Sequence, residues 1–306
     1  MSDEKLLMSE AANLYYKQGL TQQEIANLMN LSRQTVSKLL NDALKENIVE
    51  IKIHDPEKDR TSLGKEICKK FGIQNCIVCG VSNKNETLRQ MMTVKSAADY
   101  IGPLLKKGNQ NIALSWGRSV QAFIKQLPDM NTVGNTVFPL LGATDNENSY
   151  FSPNELTREL ADKIGAKAKH AWFPYLPDSS EDRDMIKNLS YYKKMLQLWK
   201  SADIAILGIG NTEILEIFGK TFGYQKNRHK AIGDIATHFF TEKGEFLDLY
   251  ENSLCADAED LKAAKQTIAI ACGNHKVTAI AGALRTNLID TLITDEYTAK
   301  QILEQH

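Results

Sequence analysis

The sequence has few of the features that mark membrane, secreted or metal-binding proteins. Its apolar runs stay well short of the roughly 18 residues that a membrane span requires. Five cysteines in 306 residues are too few for a disulfide framework. The opening segment MSDEKLLMSEAANLYY is acidic and lacks the basic region and apolar core of a signal peptide. We therefore expect a cytoplasmic protein that does not associate with a membrane.

Metal-ligand spacings are also scarce. The segment CIVC reads as a strand, where positions three apart point to opposite faces, so Cys76 and Cys79 are expected to be buried thiols. The other cysteines and the histidines are isolated from further ligand types, and only His275 stands beside a residue of interest, Lys276. We expect no metal and no cofactor.

The chain also lacks a strong charge of either sign. The net charge is −1, and residues 1–54 carry six basic and seven acidic side chains. Nucleic-acid binding would therefore depend on where individual charges lie and not on bulk charge. A length of 306 residues, with 42% apolar and 25% charged residues, indicates two ordinary globular domains.

The segment TQQEIANLMNLSRQTVSKLL predicts two short helices joined by a tight turn. Thr21 and Glu24 form a capping box, and Ser32 caps the second helix. Asn30 lies in the turn, where a left-handed backbone conformation is needed. Apolar residues form one stripe on each helix, at Ile25, Ala26 and Met29 and at Val36, Leu39 and Leu40. This pattern is typical of a helix-turn-helix.

The second helix would enter the major groove and read base edges. Arg33 can pair with guanine and Gln34 with adenine, while Ser, Thr and Lys suit phosphate oxygens. The predicted DNA-binding residues are Gln22, Gln23, Ser32, Arg33, Gln34, Thr35, Ser37, Lys38 and Asn41. A small helical hairpin that packs against something else is the alternative interpretation.

The flanking sequence predicts a winged unit. LLMSEAANLYYKQG is an amphipathic helix ended by Gly19, and NIVEIKIHD alternates as a wing strand would. We predict a winged helix-turn-helix over residues 1–54, a polar linker over 55–62 and a second domain over 63–306.

The second domain alternates strand-like and helical segments. The strand-like runs are NCIVCGV, NIALSW, NTVFPLL, AKHAWFPYL, DIAILGIG, TIAIAC and NLIDTLIT. Helical patterns fall at about residues 86–106, 118–127, 154–165, 182–200, 274–286 and 296–304. Apolar strands separated by helices predict an α/β fold with a Rossmann-like parallel sheet covered on both faces.

Four predicted strand ends carry residues suited to an anion. They are LSWGRSV, PLLGATDN, AILGIGNT and ACGNHKVTAI. Glycines let backbone N–H groups approach a phosphate, and the carboxyl ends of parallel strands share one edge of the sheet. None is a P-loop, and GIGNTE lacks the third glycine of a dinucleotide-binding fingerprint. Trp116 is equally consistent with core and pocket wall, and Phe239–Phe240 are expected to pack at a hairpin.

These features together resemble the SorC/DeoR-type bacterial transcriptional regulators, the family of sorbitol-operon and deoxyribonucleoside regulators. The motifs that carry the resemblance are LYYKQGLTQQEIANLMNLSRQTVSKLL, LSWGRSV, SADIAILGIG, AIGDIATHFFTEKGEF and GALRTNLIDTLITDEYTAKQIL, which span nearly the whole chain. The resemblance implies a second domain folded like sugar-phosphate isomerases, which binds a sugar or sugar-phosphate effector. It also implies a homodimer or homotetramer whose partner is operator DNA.

The resemblance further implies where the effector binds. Lys276 matches a position that contacts sugar phosphate, while the position of the Schiff-base lysine in the deoxyribonucleoside branch is occupied by Leu141, which favours the sorbitol branch. The predicted effector-binding residues are Ser115, Trp116, Gly117, Arg118, Ser119, Gly142, Ala143, Thr144, Gly208, Ile209, Gly210, Asp234, Lys276 and Asp295.

We predict a DNA-binding regulator of a carbohydrate-utilisation operon and not an enzyme. The alternative is a sugar-phosphate isomerase or deaminase fused to a helical module. An isomerase needs an acid and a base acting on one substrate. Asp145, Asp234 and Asp295 lie near strand ends, but the sequence contains no paired-acid motif.

Overall fold

The computed structural model describes residues 3–51, 59–80, 85–144, 152–222 and 225–305. The chain divides into two compact units, Met1–Glu57 and Lys58–His306. No helix among these residues is long and apolar enough to cross a membrane.

Residues 3–51 of the first unit form a core of three α-helices. It contains α1 (Asp3–Ala12), a π-helical turn (Asn13–Lys17), α2 (Gln22–Met29) and α3 (Arg33–Lys45). Ile25, Ala26, Val36, Leu39 and Leu40 are buried together with residues of α1, so the predicted stripes form the core. Met29 is partly buried at its edge.

Local hydrogen bonds fix the two-helix motif. Thr21 accepts from the Glu24 N–H and the Glu24 carboxylate accepts from the Thr21 N–H, which completes the capping box. Ser32 caps α3 by accepting from the Thr35 N–H, 3.0 Å away. Asn30 ends α2 in the left-handed region, with φ of 53°. The predicted turn therefore has the predicted chemistry at each of these positions.

The wing remains a prediction. Residues 47–51 contain no strand, and residues 52–55 lie outside the described residues. The predicted linker over 55–62 is wrong in its second half, because α4 (Asp59–Phe71) already includes residues 59–62. Leu63, Ile67 and Phe71 recur at i, i+4 and i+8 and pack on the core of the second unit. This apolar stripe anchors α4 to the core, and the helix extends one turn before Leu63.

The described residues of the second unit form ten strands. They are β1 (Asn75–Cys79), β2 (Asn111–Leu114), β3 (Thr136–Pro139), β4 (Lys167–Ala168), β5 (Ile204–Asn211), β6 (Gly233–Ile235), β7 (His238–Phe240), β8 (Phe246–Leu247), β9 (Gln266–Ile270) and β10 (Thr291–Asp295). The main sheet has the order β1-β10-β9-β5-β2-β3-β4, and its neighbouring strands are parallel. The predicted parallel α/β architecture is confirmed.

The helices of this unit connect the strands. After α4 come α5 (Glu86–Leu105), α6 (Arg118–Gln126), α7 (Pro153–Ile164), α8 (Ser180–Asn188), α9 (Ser190–Lys200), α10 (Glu213–Phe222), α11 (Ala258–Lys262), α12 (Val277–Arg285) and α13 (Glu296–Glu304). A 3₁₀ turn at Asn274–Lys276 precedes α12. The predicted single helix over 182–200 is two helices, because Leu189 adopts an extended conformation between them.

The sheet departs from the sequence prediction at its edges. The run AKHAWFPYL supplies a strand only at Lys167–Ala168, and Pro174 makes just an isolated bridge to Ala143. Proline has no N–H to continue a ladder. The sequence patterns also missed α4, α10 and α11, and of the antiparallel extension β6–β7–β8 they indicated only a hairpin at Phe239–Phe240. In that extension Phe239 and Phe240 lie on β7, next to the tight turn at Ala236–Thr237.

The chain reverses its direction across the sheet between β2 and β5. From β2 it continues outward through β3 and β4, and from β5 it continues the other way through β9 and β10. Ligands of open α/β sheets bind at the carboxyl ends of strands where the order reverses in this way. The topology therefore points to the ends of β2, β5 and β9.

Candidate functional site

A cavity of about 240 Å³ lies at these three strand ends. Its walls come from the segment after β2, the end of β5, the segment after β9, α5 and the β6–β7 hairpin. The volume lies below the roughly 300–1,000 Å³ of pockets for drug-sized ligands, so the cavity fits a smaller molecule.

Ten of the fourteen predicted effector residues line this cavity. They are Ser115, Trp116, Gly117, Arg118, Ser119, Gly208, Ile209, Gly210, Asp234 and Lys276. Ser115 and Lys276, the first and last of these residues, lie far apart in the sequence. The topology of the sheet therefore brings the ten residues together.

The loop Gly142–Thr144 does not line the cavity. The Gly142 N–H donates to the Leu254 carbonyl at 2.9 Å, and the Ala143 N–H donates to the Phe173 carbonyl at 2.8 Å. A Cβ on Gly142 would lie 2.5 Å from the Pro174 backbone. Two other chain segments therefore cover this strand end, and the cavity does not support its predicted role in effector binding, which stays a prediction. Asp145 lies outside the described residues.

Asp295 is also placed elsewhere. Its side chain is fully buried, caps α13 by accepting from the Thr298 N–H and pairs with Arg89, with 3.3 Å between Oδ1 and Nε. Direct contact with an effector in this cavity is therefore not supported for Asp295.

Several lining residues were not predicted. They are Gln90, Thr93, Val94, Ala122, Asn211, Glu213, Ile214, Ala236, Ile270, Ala271, Cys272 and His275. Gln90, Thr93 and Val94 follow one face of α5 at i, i+3 and i+4. That periodicity was visible in the sequence, but nothing in it shows that this face turns toward the strand ends.

The β6–β7 hairpin delivers Asp234 to the cavity. Asp234 pairs with Gly210 across β5 and β6, and its carboxylate accepts from the Thr237 N–H at 3.0 Å. Burial raises the pKa of Asp234 to about 6, although the Thr237 hydrogen bond and the charge of Lys276 oppose the shift. This carboxyl group can therefore both accept and donate hydrogen bonds near neutral pH.

Lys276 follows the 3₁₀ turn after β9. Its ammonium donates to the Ile209 carbonyl at 2.8 Å. Burial lowers the pKa of Lys276, the positive charge of Arg118 adds to this effect, and Cys272, Asp234 and Glu213 oppose it. Arg118 and Lys276 both line the cavity, and two cations at one site favour an anion there.

The start of α6 provides further donors. Gly117 precedes the helix with φ of 108°, a conformation that favours glycine, and Arg118 and Ser119 form its first positions. The first N–H groups of a helix lack intrahelical partners and attract anions. The buried Ser115 hydroxyl has no hydrogen-bond partner among the described residues.

Trp116 belongs to the core and to the cavity wall at once. It is 7% exposed and packs edge-on against Phe218, with 5.6 Å between ring centroids. Tyr175 lies 6.5 Å away on the same cluster. Both sequence interpretations of Trp116 therefore hold.

No cluster of three or more metal-ligand side chains occurs in the described parts of the chain. The Cys79 thiol lies 3.2 Å from the Thr93 hydroxyl, and burial raises the pKa of Cys79. His238 has a structural contact, since its Nε2 lies within hydrogen-bond distance, 2.8 Å, of the Ala256 carbonyl oxygen.

The first unit carries a second candidate site on α3. Most of the predicted DNA-binding side chains are exposed, namely Gln23, Ser32, Arg33, Gln34, Thr35, Lys38 and Asn41, while Gln22 and Ser37 are half-buried. The Ser32 hydroxyl already caps α3 and lies 2.7 Å from the Thr35 hydroxyl. Arg33 borders a surface depression with Tyr15, Gln22 and Gln23 at the start of α2.

The structure thus combines a helix-turn-helix unit with a parallel α/β unit that holds a small polar cavity at its switch point. A family model described as "Putative sugar-binding domain" matches residues 55–304, and the chain belongs to this family. Residues 13–46 match the model of sigma-70 region 4.

Named relatives cover the whole chain. The sorbitol operon regulator of Klebsiella pneumoniae is 29% identical over 99% of both proteins, and the deoxyribonucleoside regulator of Bacillus subtilis (strain 168) is 26% identical over 99% of both. The crystal structure of the full-length sorbitol operon regulator from Klebsiella pneumoniae is similar with a TM-score of 0.78 and 28% identity, covering 99% of this chain and 100% of that one. The predicted resemblance is confirmed, and the regulator hypothesis is supported over the enzyme alternative.

Proposed function

We propose that this protein is a transcriptional regulator of a carbohydrate-utilisation operon whose DNA binding changes when a sugar or sugar phosphate occupies the cavity. One observation carries the proposal. The same chain holds an exposed, capped helix of the kind that reads DNA and a small polar cavity at a sheet switch point. The names of its full-length relatives agree with this combination.

On the DNA side, α3 is the recognition helix. Arg33 and Gln34 lie in its first turn with exposed side chains, where they can reach base edges. Lys38 and Asn41 follow one and two turns later, and Gln22 and Gln23 at the start of α2 contact the DNA backbone. Such a unit pairs with a second copy on a pseudo-palindromic site, so the protein acts as a homodimer or homotetramer. It works in the cytoplasm, where operator DNA is accessible.

On the effector side, the cavity offers two kinds of recognition. Asp234 and the Ser115 hydroxyl suit sugar hydroxyls, because both are buried and a carboxyl group or hydroxyl can pair with O–H groups. The start of α6, Arg118 and Lys276 suit an anion such as phosphate. A sugar phosphate satisfies both halves of the cavity at once.

A thermal-shift experiment on the full chain tests the effector class. Pentose and hexose phosphates, the matching free sugars and inorganic phosphate are each added, because a ligand that binds the folded state raises its stability by RT ln(1 + [L]/Kd). We expect a phosphosugar to raise the melting temperature and to alter the affinity for DNA from the upstream region. Asp234→Asn should reduce the shift, while Asp99→Asn, an exposed residue on α5 paired with Lys95, should not.

The same panel distinguishes the enzyme alternative. Turnover of any of these sugar phosphates by the full chain, lost in Asp234→Asn, would overturn the regulator proposal. Binding without turnover, together with a change in DNA affinity, supports it.

A further inference from the structure

A buried ion pair lies behind one wall of the cavity. Arg89 on α5 and Asp295 at the end of β10 are 2% and 0% exposed, and the guanidinium also lies over the Tyr297 ring, 4.7 Å from its centroid. Removing one partner of such a pair leaves an uncompensated buried charge, so the positions of both side chains are strongly fixed.

The turn that carries Lys276 is fastened to this pair. Arg89 donates from Nη2 to the Asn274 side-chain oxygen at 3.1 Å. The Gly273 N–H donates to the Thr298 hydroxyl at 3.0 Å, and that hydroxyl donates to Asp295 at 2.5 Å. Both ends of the ion pair therefore hold the turn that places Lys276.

The residue after Asp295 contacts α4. Glu296, which follows Asp295, lies 3.8 Å from Arg60, measured from Oε2 to Nε. The Arg60 guanidinium covers Gly80 so closely that a Cβ on Gly80 would lie 1.3 Å from its Cζ. Arg60 stands in the first turn of α4, which is the first helix of the second unit along the chain.

We infer that Arg89 and Asp295 are positioning residues that couple the Lys276 turn of the cavity to the first turn of α4. This inference rests on the proposed function for its purpose, because the cavity end is the proposed effector site and α4 follows the proposed DNA-binding unit. Neither residue touches the effector. Through them, the position of Lys276 depends on the position of α4, and the position of α4 depends on that of Lys276.

A ligand that takes the Lys276 ammonium competes with the Ile209 carbonyl for it. Any shift of the turn then acts on the part-buried hydrogen bond between Asn274 and Arg89 and on the buried one between Gly273 and Thr298. Coupling of this kind is reciprocal, so a change at either end must appear at the other. The test therefore perturbs both ends of this chain of contacts.

The test measures amide hydrogen exchange of the full chain without effector or DNA. Asn274→Ala removes the acceptor of Arg89 at the cavity end, and we expect amides of residues 63–67 in α4 to exchange about threefold or more faster. Arg60→Met removes the charge at the α4 end, and the amides of Gly273 and Lys276 should accelerate by a similar factor. Exchange in β2 serves as the internal reference for global stability.

Two matched variants supply the baseline. Asn188→Ala removes a single side-chain hydrogen bond to Asp184, and Arg158→Met removes exposed ion pairs on α7. Responses at both far ends that exceed these controls support the coupling, while a missing response at either end overturns it. Because no effector is present, this result is independent of the phosphosugar panel: failure there removes the effector proposal and leaves the coupling standing.

Discussion

The carboxylate of Asp234 lies directly against the backbone of Gly210, so that a Cβ on Gly210 would stand 1.9 Å from Oδ1 of Asp234. The two residues are partners in the antiparallel ladder between β5 and β6. The glycine at the end of β5 thus leaves room for the carboxyl group in the cavity. Glycine is needed at this position because it has no side chain, and not for its backbone conformation, since the φ of Gly210 is not in the left-handed region.

Gly210→Ala should therefore displace Asp234 and lower stability. Overpacking of a filled site costs about 1–3 kcal/mol, which denaturant unfolding measures. The matched control is Gly102→Ala in α5, where the nearest atom to a new Cβ is 3.8 Å away and the change should be neutral or slightly stabilising. Equal effects of the two substitutions would contradict the assigned contact.

A second prediction concerns the pH dependence of stability without effector. The pKa of Asp234 is raised by burial to about 6, above the roughly 3.9 of an exposed aspartate in the unfolded chain. Its contribution to stability is then fully present below about pH 3.9 and is lost as the pH rises through about 6, amounting to about 3 kcal/mol at most.

Asp234→Asn should remove this loss. The amide keeps an acceptor for the Thr237 N–H and carries no charge. The variant should be more stable than the parent protein at pH 7.5, and the difference should shrink toward zero near pH 4. Unfolding free energies of both proteins across that range provide the measurement, and a difference that does not depend on pH would refute the shifted pKa.

The features that the sequence predicts well are local ones. The capping box of Thr21 and Glu24 and the turn at Asn30 depend on neighbours within four residues, so their chemistry can be read directly. The strand ends at Ser115 and Gly208 were grouped correctly because parallel strands present their carboxyl ends at one edge.

The failures have a different physical origin. Gly142 also ends a strand, but distant segments at Phe173 and Leu254 cover it. Gln90 lines the cavity because α5 packs with the face that carries Gln90 toward the strand ends. Asp295 does not line the cavity and instead forms a buried ion pair with Arg89. Each depends on a contact between residues far apart in sequence, which periodicity and spacing do not encode.

On the DNA side, Arg33→Ala should cost about 1–3 kcal/mol of binding at one base pair and relax specificity there. Arg33 is exposed in the first turn of α3, so its removal leaves the core of the unit unchanged. Binding to the operator and to random DNA, measured at one salt concentration, gives the ratio. Arg158→Ala in the second unit should leave that ratio unchanged, and an unchanged ratio in Arg33→Ala would rule out its role in base recognition.

Lys276→Met should separate phosphorylated from unphosphorylated effectors. The substitution keeps the length of the side chain and removes the charge, so a phosphosugar should bind about tenfold or more weakly, which corresponds to about 1.4 kcal/mol. The free sugar should lose little. Lys125→Met at the exposed end of α6 is the control for general electrostatic effects. Equal losses for both ligands would show that Lys276 does not contact the phosphate.

Finally, no covalent adduct should form with an aldehyde sugar phosphate. A Schiff base needs an amine near the carbonyl carbon. One branch of the resembled family carries that amine at the position that Leu141 occupies here. Leu141 is fully buried and forms an isolated β-bridge, through backbone hydrogen bonding, with Cys255. Lys276 supplies the one lysine amine among the described residues that line the cavity, and this amine donates a hydrogen bond to the Ile209 carbonyl.

The lowered pKa of Lys276 makes this a demanding test, because it increases the neutral, nucleophilic fraction of the amine. Incubation of the full chain with deoxyribose 5-phosphate and borohydride, followed by mass mapping, should show no mass increase on any cavity lysine. An adduct on Lys276 that disappears in Lys276→Met would show that this regulator captures its effector covalently, from a different strand end than Leu141. Absence of the adduct, with reversible binding in the thermal-shift panel, is the result that the buried leucine and the Ile209 hydrogen bond lead us to expect.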